Sequence, residues 1–117
     1  RFLDAAVPLA FGSDFPVEEV EPTFGLYAAI TRQDAAGQPS GGWLPDQRLT
    51  LDEAIAAFTR GAAWAAHRED RLGALAPGMR ADLTCFAGDL RAMSPSELRT
   101  AAVTATIVDG APAWSRA

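Results

Sequence analysis

One carboxylate in this sequence stands where a reacting group could act. Asp14 follows a short apolar run, residues 7–11, which is typical of a buried strand in a parallel sheet. A carboxylate in this position could act as a general acid or base. The sequence Ser-Asp-x-Pro is also common where a side chain caps a turn. Asp14 is therefore either a catalytic residue or a turn cap.

The other side chains that could take part in chemistry have simpler interpretations. His67 falls late in a helical stretch, where we expect its side chain to interact with the helix dipole rather than to bind a metal. The lone Cys85 lies in an apolar run and indicates a buried structural thiol in a reducing, cytoplasmic setting. Phe15 and Trp43 either line a substrate pocket or pack within loops. Asp82 is assigned to a turn at the edge of a strand.

Composition limits the classes of protein. The 117 residues suffice for one modest domain, and a 49% hydrophobic fraction is ordinary for a globular chain. No run reaches the roughly 18 apolar residues of a membrane span. A net charge of −5, with ten scattered Arg and no Lys, argues against a nucleic-acid partner. Small molecules or proteins are the expected partners.

The first half of the chain predicts two helices around a long loop. Residues 2–6 are typical of a last helical turn leading into the strand at 7–11. Residues 23–32 follow Pro22 with helical apolar spacing. The Gly- and Pro-rich residues 33–48 predict an extended loop. The capping-box pattern from Thr50 predicts a helix from Leu51 to about His67, with a weak point at Gly61.

The second half predicts a small β-structure. Pro77-Gly78 favours a type II turn, and residues 81–86 read as a strand. Ser94, with Pro95 after it, predicts the start of a short helix that extends to about residue 101. Residues 103–108, the turn Asp109-Gly110 and residues 111–114 predict a β-hairpin.

Three passages, in order, resemble the amidohydrolase superfamily. Residues 11–17 are similar to the end of its eighth barrel strand, residues 49–63 to the helix that follows, and residues 73–83 to the re-entry into its small β-domain. The Gly42-Trp43 loop and residues 46–50 sharpen the resemblance to amidohydrolase family 3, which includes N-substituted formamide deformylase-like proteins.

The resemblance implies an α/β fold, namely the C-terminal part of a metal-dependent (β/α)8 barrel plus part of a β-sandwich. The expected division is residues 1–70 for the end of the barrel and 71–117 for the sandwich. Family members bind metal, here expected to be zinc, through a His-x-His pair, a central Lys or Glu, and further His residues. This chain has one His and no Lys. The isolated chain is therefore expected to bind no metal.

By the same resemblance, Asp14 ligates or approaches the metal and takes the proton of the attacking water, which the metal acidifies to a pKa of about 7. The implied activity is hydrolysis of amide or formamide-like C–N bonds in the full enzyme, with the isolated chain inactive. A piece of a longer protein, a truncated gene product and a separate subunit stay open, as does a non-catalytic assembly domain. The isolated chain is expected to need its N-terminal portion or self-association.

Overall fold

The computed structural model describes residues 2–116, so the predicted outer boundaries at 1 and 117 lie outside the described residues. Helices and strands are mixed, and the strands form one antiparallel sheet. The elements in chain order are α1 (Pro22–Thr31), α2 (Leu51–Ala56), a π-helical turn (Ala57–Gly61), α3 (Ala62–Ala65), β1 (Leu83–Phe86), α4 (Pro95–Arg99), β2 (Val103–Val108) and β3 (Ala111–Ser115). Short 3-10 turns cover Leu3–Ala5, Pro45–Gln47 and Leu90–Ala92. No helix within residues 2–116 is long and apolar enough to cross a membrane.

The prediction of a buried strand at residues 7–11 is wrong for the chain as described. These residues adopt no regular secondary structure, and Val7 is exposed. A strand is defined by its hydrogen-bonded neighbours, and the described residues offer this segment none. Phe11 N–H instead donates to the carbonyl of Ala57 at 3.0 Å, so the segment lies against a helical turn.

Helix α1 follows the prediction to within one residue. Pro22 occupies its first turn, where a missing N–H removes no helical hydrogen bond. The helix ends where Arg32 adopts the left-handed conformation and its N–H donates to Ala28 O at 2.8 Å. The loop that follows is irregular except for the turn Pro45–Gln47, as the Gly- and Pro-rich sequence predicts.

The second helical region begins with the predicted capping box. Thr50 Oγ1 accepts from Glu53 N–H at 3.2 Å, while Glu53 Oε2 accepts from Thr50 N–H at 2.7 Å. The helix continues to Ala65, and its middle is a π-helical turn. The weak point expected at Gly61 is thus the end of that turn.

The core joins the two halves of the chain. Leu26 of α1, Ala54 of α2 and Leu98 of α4 form one buried cluster. Partly buried apolar side chains surround it, including Ile30, Leu49, Leu51, Ile55, Phe58, Leu90 and Met93. Leu98 comes from the predicted second domain and the other two from the first. The division at residue 70 stays a prediction.

The sheet has the order β1-β2-β3. The predicted hairpin is confirmed: β2 and β3 pair through the turn at Asp109 and Gly110, whose φ angles of 52° and 79° fit a type I′ turn. Pro77-Gly78 forms its predicted turn, with Met79 N–H donating to Ala76 O at 3.1 Å. Ser94 and Glu97 form a second capping box at the start of α4.

Candidate functional site

Asp14 lies in an exposed turn. Its φ is 53°, in the left-handed region, and its carbonyl accepts from Val17 N–H at 2.9 Å. Within residues 2–116 the Asp14 carboxylate accepts no hydrogen bond and joins no ion pair. A left-handed residue other than Gly is uncommon, and such residues cluster at functional sites. The side chain therefore does not cap the turn within the described chain, and its carboxylate remains available.

Residues before and after Asp14, but not Asp14 itself, help to line a groove of about 610 Å³. Gly12 and Ser13 line it from before Asp14, and Glu18, Glu19 and Glu21 from after it. Residues of α1 and Arg99 of α4 also line it. The groove is rich in carboxylates, so its field favours positively charged groups.

Arg99 supplies a positive charge to the lining of this groove. Its guanidinium lies 5.0 Å from the ring centre of Phe24 and 5.9 Å from that of Tyr27. Both distances are within the range of cation–π attraction. Arg99 thus joins α4 to α1 beside the groove, and the sequence gives no signal for this pairing, because the residues are more than 70 positions apart.

The two aromatic candidates lie in different surroundings. Phe15 is 65% exposed and lines neither the groove just described nor the second one. Trp43 is 62% exposed and lines the second groove, about 420 Å³, with Leu9, Phe11 and Leu49 among its neighbours. The structure thus does not bring Phe15 and Trp43 into one pocket. Their role in substrate binding stays a prediction.

Arg32 holds Trp43 in place, which the sequence interpretation missed. Arg32 Nε donates to Trp43 O at 2.5 Å, and Trp43 N–H donates to Arg32 O at 2.9 Å. The guanidinium also lies 4.8 Å from the indole centre. Gly42 makes this approach feasible, since a Cβ there would lie 2.2 Å from Thr31 O.

The remaining candidates have structural positions. His67 is exposed in the turn after α3, with φ of 53° and its N–H donating to Trp64 O at 3.0 Å. Asp82 Oδ1 accepts from Asp109 N–H at 2.8 Å, and Arg80 Nε donates to Asp82 Oδ2 at 2.8 Å. Asp82 therefore ties the start of β1 to the hairpin turn. Cys85 is free and half-buried in β1.

Metal ligands do not converge in the described part of the chain. Residues 2–116 contain no group of three or more His, Cys, Asp or Glu side chains that could hold a metal ion. The acidic residues around the first groove are therefore not a metal centre by themselves. Asp14 fits a metal site only as one contributor among ligands from elsewhere.

Similarity to known proteins covers almost the whole chain. Residues 1–113 match the amidohydrolase family. The chain is 33% identical to amidohydrolase YtcJ of Bacillus subtilis, over 86% of this chain and 19% of that protein. It is also 33% identical to N-substituted formamide deformylase of Arthrobacter pascens, over 97% of this chain and 20% of that protein. The chain thus spans about a fifth of the length of these curated relatives.

A solved structure shows the same fold. The crystal structure of an amidohydrolase from Thermotoga maritima superposes with a TM-score of 0.68 at 22% identity, over 97% of this chain and 24% of that chain. The three sequence passages all lie within residues 1–113, which match the family. The resemblance to amidohydrolase family 3 is confirmed, and the chain belongs to the amidohydrolase family.

Proposed function

We propose that this chain is the C-terminal section of a metal-dependent amidohydrolase that hydrolyses a C–N bond of an amide or formamide-type small molecule. Family membership supports the reaction class, and the relative named N-substituted formamide deformylase supports the substrate class. The proposed architecture is the end of a (β/α)8 barrel in residues 1–70 and part of a β-sandwich in residues 71–117. The match to about a fifth of each relative supports a section rather than a whole enzyme.

The observation that carries the proposal is the free carboxylate of Asp14. It is exposed and has no protein partner among the described residues. Such a group can accept a proton from an attacking water and deliver it to the leaving nitrogen. Asn at this position would keep the shape but could not carry the proton. We infer that this proton transfer is the role of Asp14 in the complete enzyme.

A divalent metal, by analogy zinc, would polarise the carbonyl and acidify the water in the complete enzyme. Residues 2–116 hold no ligand cluster, so the other ligands must come from outside this chain. The 117-residue chain alone is therefore expected to bind no metal and to catalyse no hydrolysis. Its free Cys85 is compatible with the proposed cytoplasmic location.

The proposed partner of the isolated chain is the N-terminal portion of the same enzyme, or a second copy in its absence. Large apolar side chains border the second groove and are exposed: Phe2 by 71%, Trp43 by 62% and Leu44 by 54%. Contiguous apolar surface of this kind indicates contact with further protein. No part of the proposal involves nucleic acid or a membrane.

The experiment uses the complete gene product that carries this chain. N-benzylformamide serves as the probe, and formate release is measured with and without added Zn²⁺. The variant Asp14→Asn is expected to lower kcat by roughly 10²- to 10⁴-fold, the usual contribution of a general acid–base group. Asp46→Asn, which removes an exposed carboxylate from the turn Pro45–Gln47, is the matched control and should keep the wild-type rate.

Three outcomes would count against the proposal. Wild-type turnover in Asp14→Asn, with hydrolysis intact, would remove Asp14 from the mechanism. Hydrolysis or Zn²⁺ binding by the 117-residue chain alone would show that the section is sufficient. A gene product without further His ligands, forming a stable inactive oligomer, would favour the assembly-domain alternative.

A further inference from the structure

The π-helical turn Ala57–Gly61 gives one carbonyl an unusual position. Ala62 N–H donates to Ala57 O, five residues earlier, and to Thr59 O. Thr59 Oγ1 also donates to Ile55 O at 2.7 Å, a contact that often bends a helix. Short π-helical turns frequently occur at functional sites. In this chain the Ala57 carbonyl accepts a further hydrogen bond from outside the helix.

That second donor is the segment that leads to Asp14. Phe11 N–H donates to Ala57 O at 3.0 Å. The ring of Phe11 meets that of Phe58 edge to face, with 5.5 Å between centres and 76° between planes. Two consecutive residues of the turn therefore hold Phe11, which is three positions before Asp14.

Gly61 makes a third contact with the same segment. A Cβ at Gly61 would lie 1.9 Å from Leu9 O and 3.0 Å from Leu9 C. The obstructing atoms belong to the backbone, so they cannot rotate away as a flexible side chain would. Because a Cβ atom essentially never lies closer than 3.0 Å to another heavy atom, a larger residue at position 61 requires the helix and the Leu9 carbonyl to separate by about 1.1 Å, the difference between 3.0 and 1.9 Å. Only Gly permits the observed approach.

We propose that the π-helical turn sets the position of Asp14 and that Gly61 is a positioning residue for it. This inference rests on the proposed function, in which Asp14 transfers a proton. The contacts with Ala57, Phe58 and Gly61 hold residues 9–11 against the helical turn. Asp14 follows after only two further residues, and displacement of residues 9–11 therefore displaces its carboxylate.

The first test measures backbone protection in the complete gene product and needs no activity. Hydrogen exchange of the Phe11 amide, followed by mass spectrometry of peptides that contain it, should be slow in the wild type. Gly61→Ala should accelerate it at least about tenfold, because the Ala57 bond is broken. Gly88→Ala is the matched control: its Cβ would meet only the flexible end of Met93 at 3.1 Å, and Phe11 exchange should not change. Unchanged Phe11 protection in Gly61→Ala overturns the inference.

The second test measures catalysis in the complete gene product, with N-benzylformamide as the probe. A displacement of about 1 Å at a reacting group can cost roughly 10²-fold in rate. Gly61→Ala is therefore expected to lower kcat by about 10²-fold per folded molecule, as counted by circular dichroism, with KM unchanged. Gly88→Ala should match the wild type. A purely structural role would lower the folded fraction and leave kcat per folded molecule intact.

Measuring Asp14→Asn in parallel distinguishes a failure of the positioning role from a failure of the proposed function. If Asp14→Asn is inactive and Gly61→Ala is fully active, the positioning role fails while the proposed function stands. If Asp14→Asn is fully active, the proposed function fails. Should Gly61→Ala not fold, Phe58→Leu replaces it, since it removes the edge-to-face contact and keeps an apolar side chain against the core. A several-fold lower kcat at constant KM supports the inference, and a wild-type kcat overturns it.

Discussion

The guanidinium of Arg32 lies 4.8 Å from the ring centre of Trp43, and the two residues also exchange backbone and side-chain hydrogen bonds. Arg32 closes helix α1, and Trp43 lies eleven residues further along the chain. The contact therefore closes the loop between them. Trp43 stays 62% exposed although it is held at three points, so its indole is presented at a fixed position.

Replacing Arg32 with Lys should release this indole. Lys lacks the planar guanidinium that both stacks on the ring and donates from Nε. In a Trp64→Phe, Trp114→Phe background, acrylamide quenching of the remaining Trp43 should increase. The free energy of unfolding should fall by about 0.5–1 kcal/mol, as for an exposed cation–π pair. Arg68→Lys is the control, and equal quenching in both variants would contradict the role of Arg32.

Truncation of Leu98 should destabilise the whole chain. Leu98 is 1% exposed and lies with Leu26 and Ala54 in the buried cluster. Leu98→Ala should therefore cost about 2–5 kcal/mol in the free energy of unfolding, measured by urea denaturation. Leu75→Ala, at a side chain that is 87% exposed, should change it by less than about 0.5 kcal/mol. A loss below 1 kcal/mol for Leu98→Ala would show that α4 does not share this core.

Removing the side-chain cap at the start of helix α4 should cause a smaller and more specific loss of stability. Ser94 Oγ accepts from Glu97 N–H at 3.4 Å, and Glu97 Oε2 accepts from Ser94 N–H at 2.8 Å. Ser94→Ala should cost about 1 kcal/mol in urea denaturation, whereas Ser94→Gly should cost only a few tenths. Equal losses for Ala and Gly would indicate that the cap is not responsible.

Local features of the fold were predictable from the sequence because they depend on neighbouring residues. The capping box at Thr50 and the Asp109-Gly110 turn involve residues three positions apart or fewer. Helix α1 was placed to within one residue by Pro22 and its apolar spacing. In each case the backbone preference and the hydrogen-bond partner are both encoded locally.

The contacts of the segment that precedes Asp14 could not be predicted in this way. Phe11 and Ala57 are 46 positions apart, and neither residue type signals a bond to the other. The apolar run at residues 7–11 predicted a strand, but a strand also needs neighbours that the described chain lacks. Gly61 was interpreted as a helix weakness, whereas its missing Cβ admits the Leu9 backbone. The catalytic role of Asp14 stays a prediction, since it depends on groups outside this chain.

The Asp82 carboxylate should make the stability of the hairpin depend on pH. The hydrogen bond from the Arg80 side chain, and then that from Asp109 N–H, hold the pKa of Asp82 below its ordinary value of 3.8. A carboxylate with a lowered folded-state pKa stabilises the fold above its unfolded pKa. The contribution is therefore present at neutral pH and is lost as the pH falls below about 3.8 through the lower folded-state value.

Urea denaturation of the wild type and of Asp82→Asn at pH 6 and pH 3 checks this dependence. The wild type should be the more stable at pH 6, and its advantage should shrink at pH 3, because protonation then removes the same charge as the substitution. The exposure of Asp82 to solvent keeps the effect small. Asp70→Asn controls for the loss of one negative charge away from the hairpin. An advantage over Asp82→Asn that is larger at pH 3 than at pH 6 would reverse the expected sign and exclude the Arg80 and Asp109 contacts as its source.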